Sequence, residues 1–178
     1  MTSYAVPVHF QVRFHMMITM RLQADGTVYY RAPPAQAALE ITQAGGILGG
    51  LFKGAYKLDI VPQGWPYAYR VVGVDHSKSG TTSVLVLRSV PRAEPSDITQ
   101  VLFTLTSPAL EPVSAVWLYR DTSSIHLTLV NRRVGEYAMP QRATISVDKS
   151  RYRLDADATY GEYALNVPVP DSVFTSAK

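Results

Sequence analysis

The sequence predicts a mainly β protein: a strongly curved antiparallel sheet, an open half-barrel, with one or a few short helices capping its concave face. Three observations carry this expectation. First, every even position from Val6 to Leu22 is apolar: Val6, Val8, Phe10, Val12, Phe14, Met16, Ile18, Met20 and Leu22. Most odd positions are polar or basic (His9, Gln11, Arg13, His15, Thr19, Arg21), with Pro7 and Met17 the exceptions. Strand side chains alternate between two faces, so this reads as one very long strand with an apolar and a wet side. Typical strands run about five or six residues, roughly 20 Å. A run of this length leaves a compact domain unless its sheet curls. Second, Tyr152, Leu154, Ala156, Ala158 and Tyr160 alternate with Arg151, Arg153, Asp155 and Asp157, a second two-faced strand. Third, the chain from Lys57 onward is punctuated at strand-length intervals by Gly, Pro, Asn and Asp, as all-β closure or near-closure requires.

Taken in order, the first strand ends at Ala24-Asp25-Gly26-Thr27, because Asp-Gly between alternating runs is a strong hairpin signal. Thr27–Arg31 returns as the second strand and Pro33-Pro34 interrupts it, since proline cannot donate to a ladder. Ala38–Thr42 resumes it. The segment Ala44–Tyr56 has no alternation. Ile47, Leu48, Leu51 and Phe52 are spaced like one face of a short helix, and the five glycines around them each weaken a helix by about 1 kcal/mol. A loose helix or loop docked onto an apolar surface is expected there. The meander then predicts strands at 67–74, 83–90, 97–106, 115–120, 125–132, 141–147 and 152–160. Val167-Pro168-Val169-Pro170-Asp171-Ser172-Val173-Phe174 reads as an extended, proline-fixed tail. No repeat or linker divides residues 1–178, so one domain is expected.

The bulk numbers exclude several functions. Hydrophobic residues make up 47% of the 178, enough to fold around a sizeable core. A net charge of +3, from 17 basic and 14 acidic residues without a dense Lys/Arg run, argues against nucleic acid as a partner. The absence of cysteine removes disulfides, thiolate metal sites and thiol catalysis. There is no G-x-S-x-G, no H-E-x-x-H and no phosphate-cradling loop, so no catalytic residues and no cofactor are expected. His9 and His15 share the wet face of the first strand roughly 20 Å apart, too far for one metal ion. No metal site is expected.

The candidate site is the apolar face itself, which either covers a packed core or walls a cavity for a greasy ligand. Its candidate residues are Phe10, Phe14, Met16, Ile18, Met20, Leu22, Tyr29 and Arg31, with Val12 on the same stripe. A two-residue turn at Asp25-Gly26 pairs Leu22 with Tyr29 and Met20 with Arg31, placing both on that face. A three-residue loop reverses the assignment. On the apolar face a guanidinium needs a partner; at the rim its head reaches solvent. Ile47, Leu48, Leu51 and Phe52 form a candidate lid, or else a helix simply packed over the sheet.

The order of parts resembles the outer-membrane lipoprotein carrier superfamily, the LolA/LolB-like proteins. The resemblance rests on Gly26-Thr27-Val28-Tyr29-Tyr30-Arg31-Ala32-Pro33, similar to that family's G-x-hydrophobic-x-x-R-x-P strand. It also rests on the tyrosine-rich stretch from Tyr160 to the Pro168-Val169-Pro170 stop. It implies a half-barrel whose cavity takes acyl chains of lipid or lipoprotein, with Arg31 at the cavity contacting the lid. Two departures stand out: only Met1–Tyr4 precede the first strand, where the carriers have a helix, and the glycine-rich segment is a poor copy of a firm lid helix. The implied function is a non-enzymatic extracytoplasmic binder or carrier, periplasmic or in the cell envelope, with the export signal absent from this sequence. Its partners would be lipid or acylated lipoprotein, and a membrane-associated protein on one alternative. That alternative is an envelope sensor or scaffold on the same fold; another is a small cofactor-free enzyme using the cavity.

Overall fold

The computed structural model describes residues 1–17, 19–45, 49–79 and 82–177. Its strands are β1 (Ser3–His15), β2 (Thr19–Arg31), β3 (Gln36–Ala44), β4 (Gly54–Lys57), β5 (Tyr69–Ser79), β6 (Thr82–Pro91), β7 (Ile98–Thr106), β8 (Pro112–Tyr119), β9 (Ser124–Val134), β10 (Tyr137–Lys149), β11 (Tyr152–Tyr160) and the short β12 (Ala164–Leu165). They form one antiparallel sheet in the order β4-β3-β2-β1-β11-β10-β9-β8-β7-β6-β5, with β12 beside β1. The sheet is an open half-barrel: β4 and β5 are its two edges and do not pair with each other. The strands expected from Lys57 onward are all present, shifted by a few residues at their ends.

Several local expectations are corrected. The alternating stretch Val6–Leu22 is two strands, because the chain reverses between His15 and Thr19. The register pairs Phe14 with Met20, Val12 with Leu22, Phe10 with Ala24 and Val8 with Gly26, so even positions oppose even positions. Period-two alternation therefore runs through the reversal unbroken, and periodicity alone does not reveal it. Asp25-Gly26 is the interior of β2. Gly26 is required there by close approach: a Cβ would collide with the Glu40 carbonyl of β3, at the point where the β2–β3 register shifts.

The glycine-rich segment forms a single 3-10 turn, Gly49–Phe52, and then β4; Gly54 makes the transition with a φ of 130°, in the region that favours glycine. Between β4 and β5 the chain is helical, with a 3-10 turn at Pro62–Gly64 running into α1 (Trp65–Ala68). Proline inside the first turn suits this start, since its missing N–H has no helical partner to lose. Last, the tail is not extended throughout: Asp171–Thr175 is a short α-helix, α2, whose Val173 is buried.

The crossing from β4 to β5 supplies the core. Trp65 lies in the sheet's interior, stacked on Phe103 at 4.2 Å between ring centroids and edge-on to Trp117 at 6.2 Å. Both indoles are satisfied, as buried indoles need to be. Trp65 Nε1 donates to the Ile60 carbonyl at 3.2 Å, and Trp117 Nε1 donates to the Tyr69 hydroxyl at 2.9 Å. Val101, Ala115, Leu127 and Met139 close around this cluster from the sheet.

Replacing Gly26 with alanine forces β2 and β3 apart and lowers stability by about 1–3 kcal/mol. Urea denaturation of the Gly26→Ala variant reads this directly; an unchanged midpoint contradicts the close approach.

Candidate functional site

The inner face of the β1–β2 hairpin changes character along its length. Tyr4, Val6, Val8, Val28 and Tyr30 are fully buried core. Phe10, Val12, Phe14 and Leu22, further along the same stripe, are only half-buried. Beyond the reach of Trp65 the face encloses a cavity of about 620 Å³, walled by β1, β2, β3 and β11 and bordered by the 3-10 turn. Phe10, Val12, Phe14, Met20, Leu22, Ala24, Leu39, Ile41, Phe52 and Leu154 line it, and among the described residues Arg21 is the one charged group on its wall. A void this size and this apolar suits a ligand that offers carbon and little else. A smaller pocket of about 140 Å³ meets the cavity at Phe10 and Leu39, which line both.

That smaller pocket ends in a tyrosine cluster. Tyr4 stacks on Tyr30 at 5.3 Å and meets Tyr163 edge-on at 5.5 Å; Tyr160 and Tyr163 stack at 6.3 Å. The Tyr163 hydroxyl donates to the Pro140 carbonyl at 2.8 Å, and Arg132 sits over the Tyr163 ring while donating to the Gly161 carbonyl. Burial holds the phenols of Tyr4 and Tyr163 well above the ordinary tyrosine range and pushes Tyr160 up to about 12. All three phenols are neutral at physiological pH.

Of the residues expected on the apolar face, Phe10, Phe14, Met20 and Leu22 stand together on the cavity wall. Met16 stands outside the lining, exposed at the hairpin tip. Ile18 lies outside the described residues, as do Ile47 and Leu48 of the candidate lid. Leu51 belongs to the 3-10 turn, and Phe52 from that turn reaches the cavity wall. Ala24, Leu39, Ile41 and Leu154 were missed. Leu39 and Ile41 alternate within the expected Ala38–Thr42 strand, and Leu154 lies on the apolar side of the last one, so the signal was present without a register to join it to the cavity.

Tyr29 and Arg31 require correction. With the reversal between His15 and Thr19, Tyr29 pairs with Ala5 and Arg31 with Ser3, on the face opposite Leu22 and Met20. Tyr29 donates to Glu40 on that outer side. Arg31 works as a latch on the C-terminal tail. Its Nε donates to Gln36 at 2.8 Å, its guanidinium pairs with Asp171, and its plane covers the Phe174 ring at 4.2 Å. Both tail contacts come from α2.

The arrangement can hold an apolar chain; among the described residues the cavity lining contains no acid–base pair, and no cluster of His and carboxylates is suited to a metal. Three solved structures share the whole fold. A LolA superfamily protein from Nitrosomonas europaea superposes with a TM-score of 0.59 at 13% identity, covering 98% of this chain and 90% of that one. An outer membrane lipoprotein-sorting protein domain from Vibrio parahaemolyticus gives 0.60 at 11% identity, over 97% and 89%. A DUF1329 family protein from Desulfovibrio piger gives 0.63 at 8% identity, over 97% and 88%. The chain thus has the LolA-like fold. No protein-family model matches it, and no curated protein is detectably similar in sequence.

Two outcomes follow from the site's polar groups. Unfolded tyrosine ionises near pH 10, whereas Tyr160 holds its proton to about 12. Between these values the unfolded state binds fewer protons, so stability is complete below about pH 10 and falls as pH rises towards 12. Tyrosinate absorbance against pH, with the denaturation midpoint measured alongside, reads both. Separately, Arg31→Met frees the tail: hydrogen exchange speeds up at the amides of Val173 and Ser176, which now donate to Pro170 and Ser172.

Proposed function

We propose that this protein is an extracytoplasmic binder or carrier of lipid or lipoprotein acyl chains, which it holds in the cavity between the β1–β2 hairpin, β3 and the end of β11. The observation that carries the reading is the cavity wall, where the described lining residues are ten apolar side chains, Gly45 and a single charged one, Arg21. Removing apolar surface from water is worth roughly 25 cal/mol per Å², and an acyl chain is nearly all such surface. Phe10, Phe14, Met20 and Leu22 form the long wall, Leu39 and Ile41 the floor, and Phe52 the flap on the side of the 3-10 turn. Methionine at position 20 adapts its shape to an irregular chain.

The likeness of fold to an outer membrane lipoprotein-sorting domain favours the same class of cargo and a periplasmic or cell-envelope setting. The cofactor-free enzyme reading draws no support from this wall, because chemistry would need converging polar groups where the cavity offers hydrocarbon.

The test is a titration of the delipidated protein with a fluorescent long-chain acyl probe, followed by competition with natural lipids and a triacylated peptide. Saturable binding displaced by these competitors is expected. Leu22→Trp places a bulky indole in the cavity and weakens probe binding at least about tenfold, the equivalent of about 1.4 kcal/mol. Gln23→Trp, one residue along on the opposite face, leaves it unchanged. Equal loss in both variants, or no binding by folded protein, refutes the reading.

A further inference from the structure

We propose that the tip of the β1–β2 hairpin is a membrane-docking element that seats the protein on an anionic lipid bilayer. Three of the chain's five methionines, Met16, Met17 and Met20, lie within five residues here. Met17 is 100% exposed and Met16 59%, although methionine is among the residue types most often buried. Two thioether side chains at the apex of a hairpin have little to gain from water and a ready home among acyl chains.

The second observation is the charge behind the apex. Arg13 and Arg21 stand directly opposite each other across the hairpin. Like charges in that position cost energy, which an anionic surface would offset. The register sets Arg153 beside His15, bringing the β10–β11 turn with Arg151 to the same end. Acidic groups are present too: Asp157 pairs with Arg13, Asp155 pairs with His15 and Arg153, and Asp148 opposes Arg153 in the ladder. Arg21 and Arg151 have no carboxylate partner among the described residues, which leaves the tip region with uncompensated positive charge.

The third observation is position. Phe14, Met20 and Arg21 at the base of the tip are also cavity wall. An apex sunk into the headgroup layer sets the cavity against the bilayer, so a chain can pass between them without crossing open water. This last step rests on the acyl-chain reading; the docking itself does not.

The experiment is co-sedimentation of the full chain with phosphatidylcholine vesicles and with phosphatidylcholine–phosphatidylglycerol vesicles. Binding to the anionic vesicles is expected, roughly tenfold tighter than to the neutral ones and weakened by salt. Met16→Ser with Met17→Ser abolishes it, while acyl-probe binding in solution persists because neither residue lines the cavity. Arg151→Gln with Arg153→Gln removes the preference for anionic vesicles. Vesicle binding that survives the methionine change, or none at any composition, overturns the docking proposal even if the probe binds. Probe binding that fails while vesicle binding holds refutes the cavity reading alone.

Discussion

The connection between β4 and β5 constrains everything else in this molecule. These strands are the opposite edges of the sheet, ten strand spacings apart. In a flat sheet that is roughly 48 Å. Residues 58–68 join them, and eleven residues reach at most about 36–40 Å when fully extended. Seven of the eleven, Pro62–Ala68, are in helical turns and reach much less. The sheet has to curl until its edges come within range of the connection. The same connection then crosses the hollow it has enforced and drops Trp65 into it. Curvature and core share one cause.

A single plug cannot fill a trough as long as a hairpin of two thirteen-residue strands. Around Trp65 the inner stripe is close-packed and behaves as core. Past Phe10 the same alternation continues beyond the reach of Trp65, and it walls a void. Core or cavity was thus never a choice between alternatives for this stripe: Val6 and Val8 are the one, Val12 and Phe14 the other. What separates them is distance from the crossing segment.

Much of the architecture was legible in the chain. The alternation in Tyr152–Tyr160 places β11 correctly, and the punctuation from Lys57 onward locates the meander. The curved sheet was anticipated, though from a strand length that proved to belong to two strands. Even-to-even pairing made the reversal near Met17 invisible, while Asp25-Gly26 imitated a turn it does not make. That displacement carried Tyr29 and Arg31 to the wrong face. Gly26 answers to the Glu40 carbonyl of a neighbouring strand, and Arg31 to Asp171 and Phe174, both about 140 positions away in sequence. Such demands are tertiary and leave no local trace. The helical crossing was hidden for a similar reason: its turns are too short for a helical period to show.

The chain has two tryptophans, Trp65 and Trp117, and they meet edge to face in the filled half of the trough. Both belong to the aromatic cluster around Phe103, and neither lines the open half. The natural fluorescence of the protein is therefore a gauge of sheet closure. Its emission tracks the seating of the crossing segment and carries little signal from whatever occupies the cavity, which makes folding and occupancy optically separable in one sample.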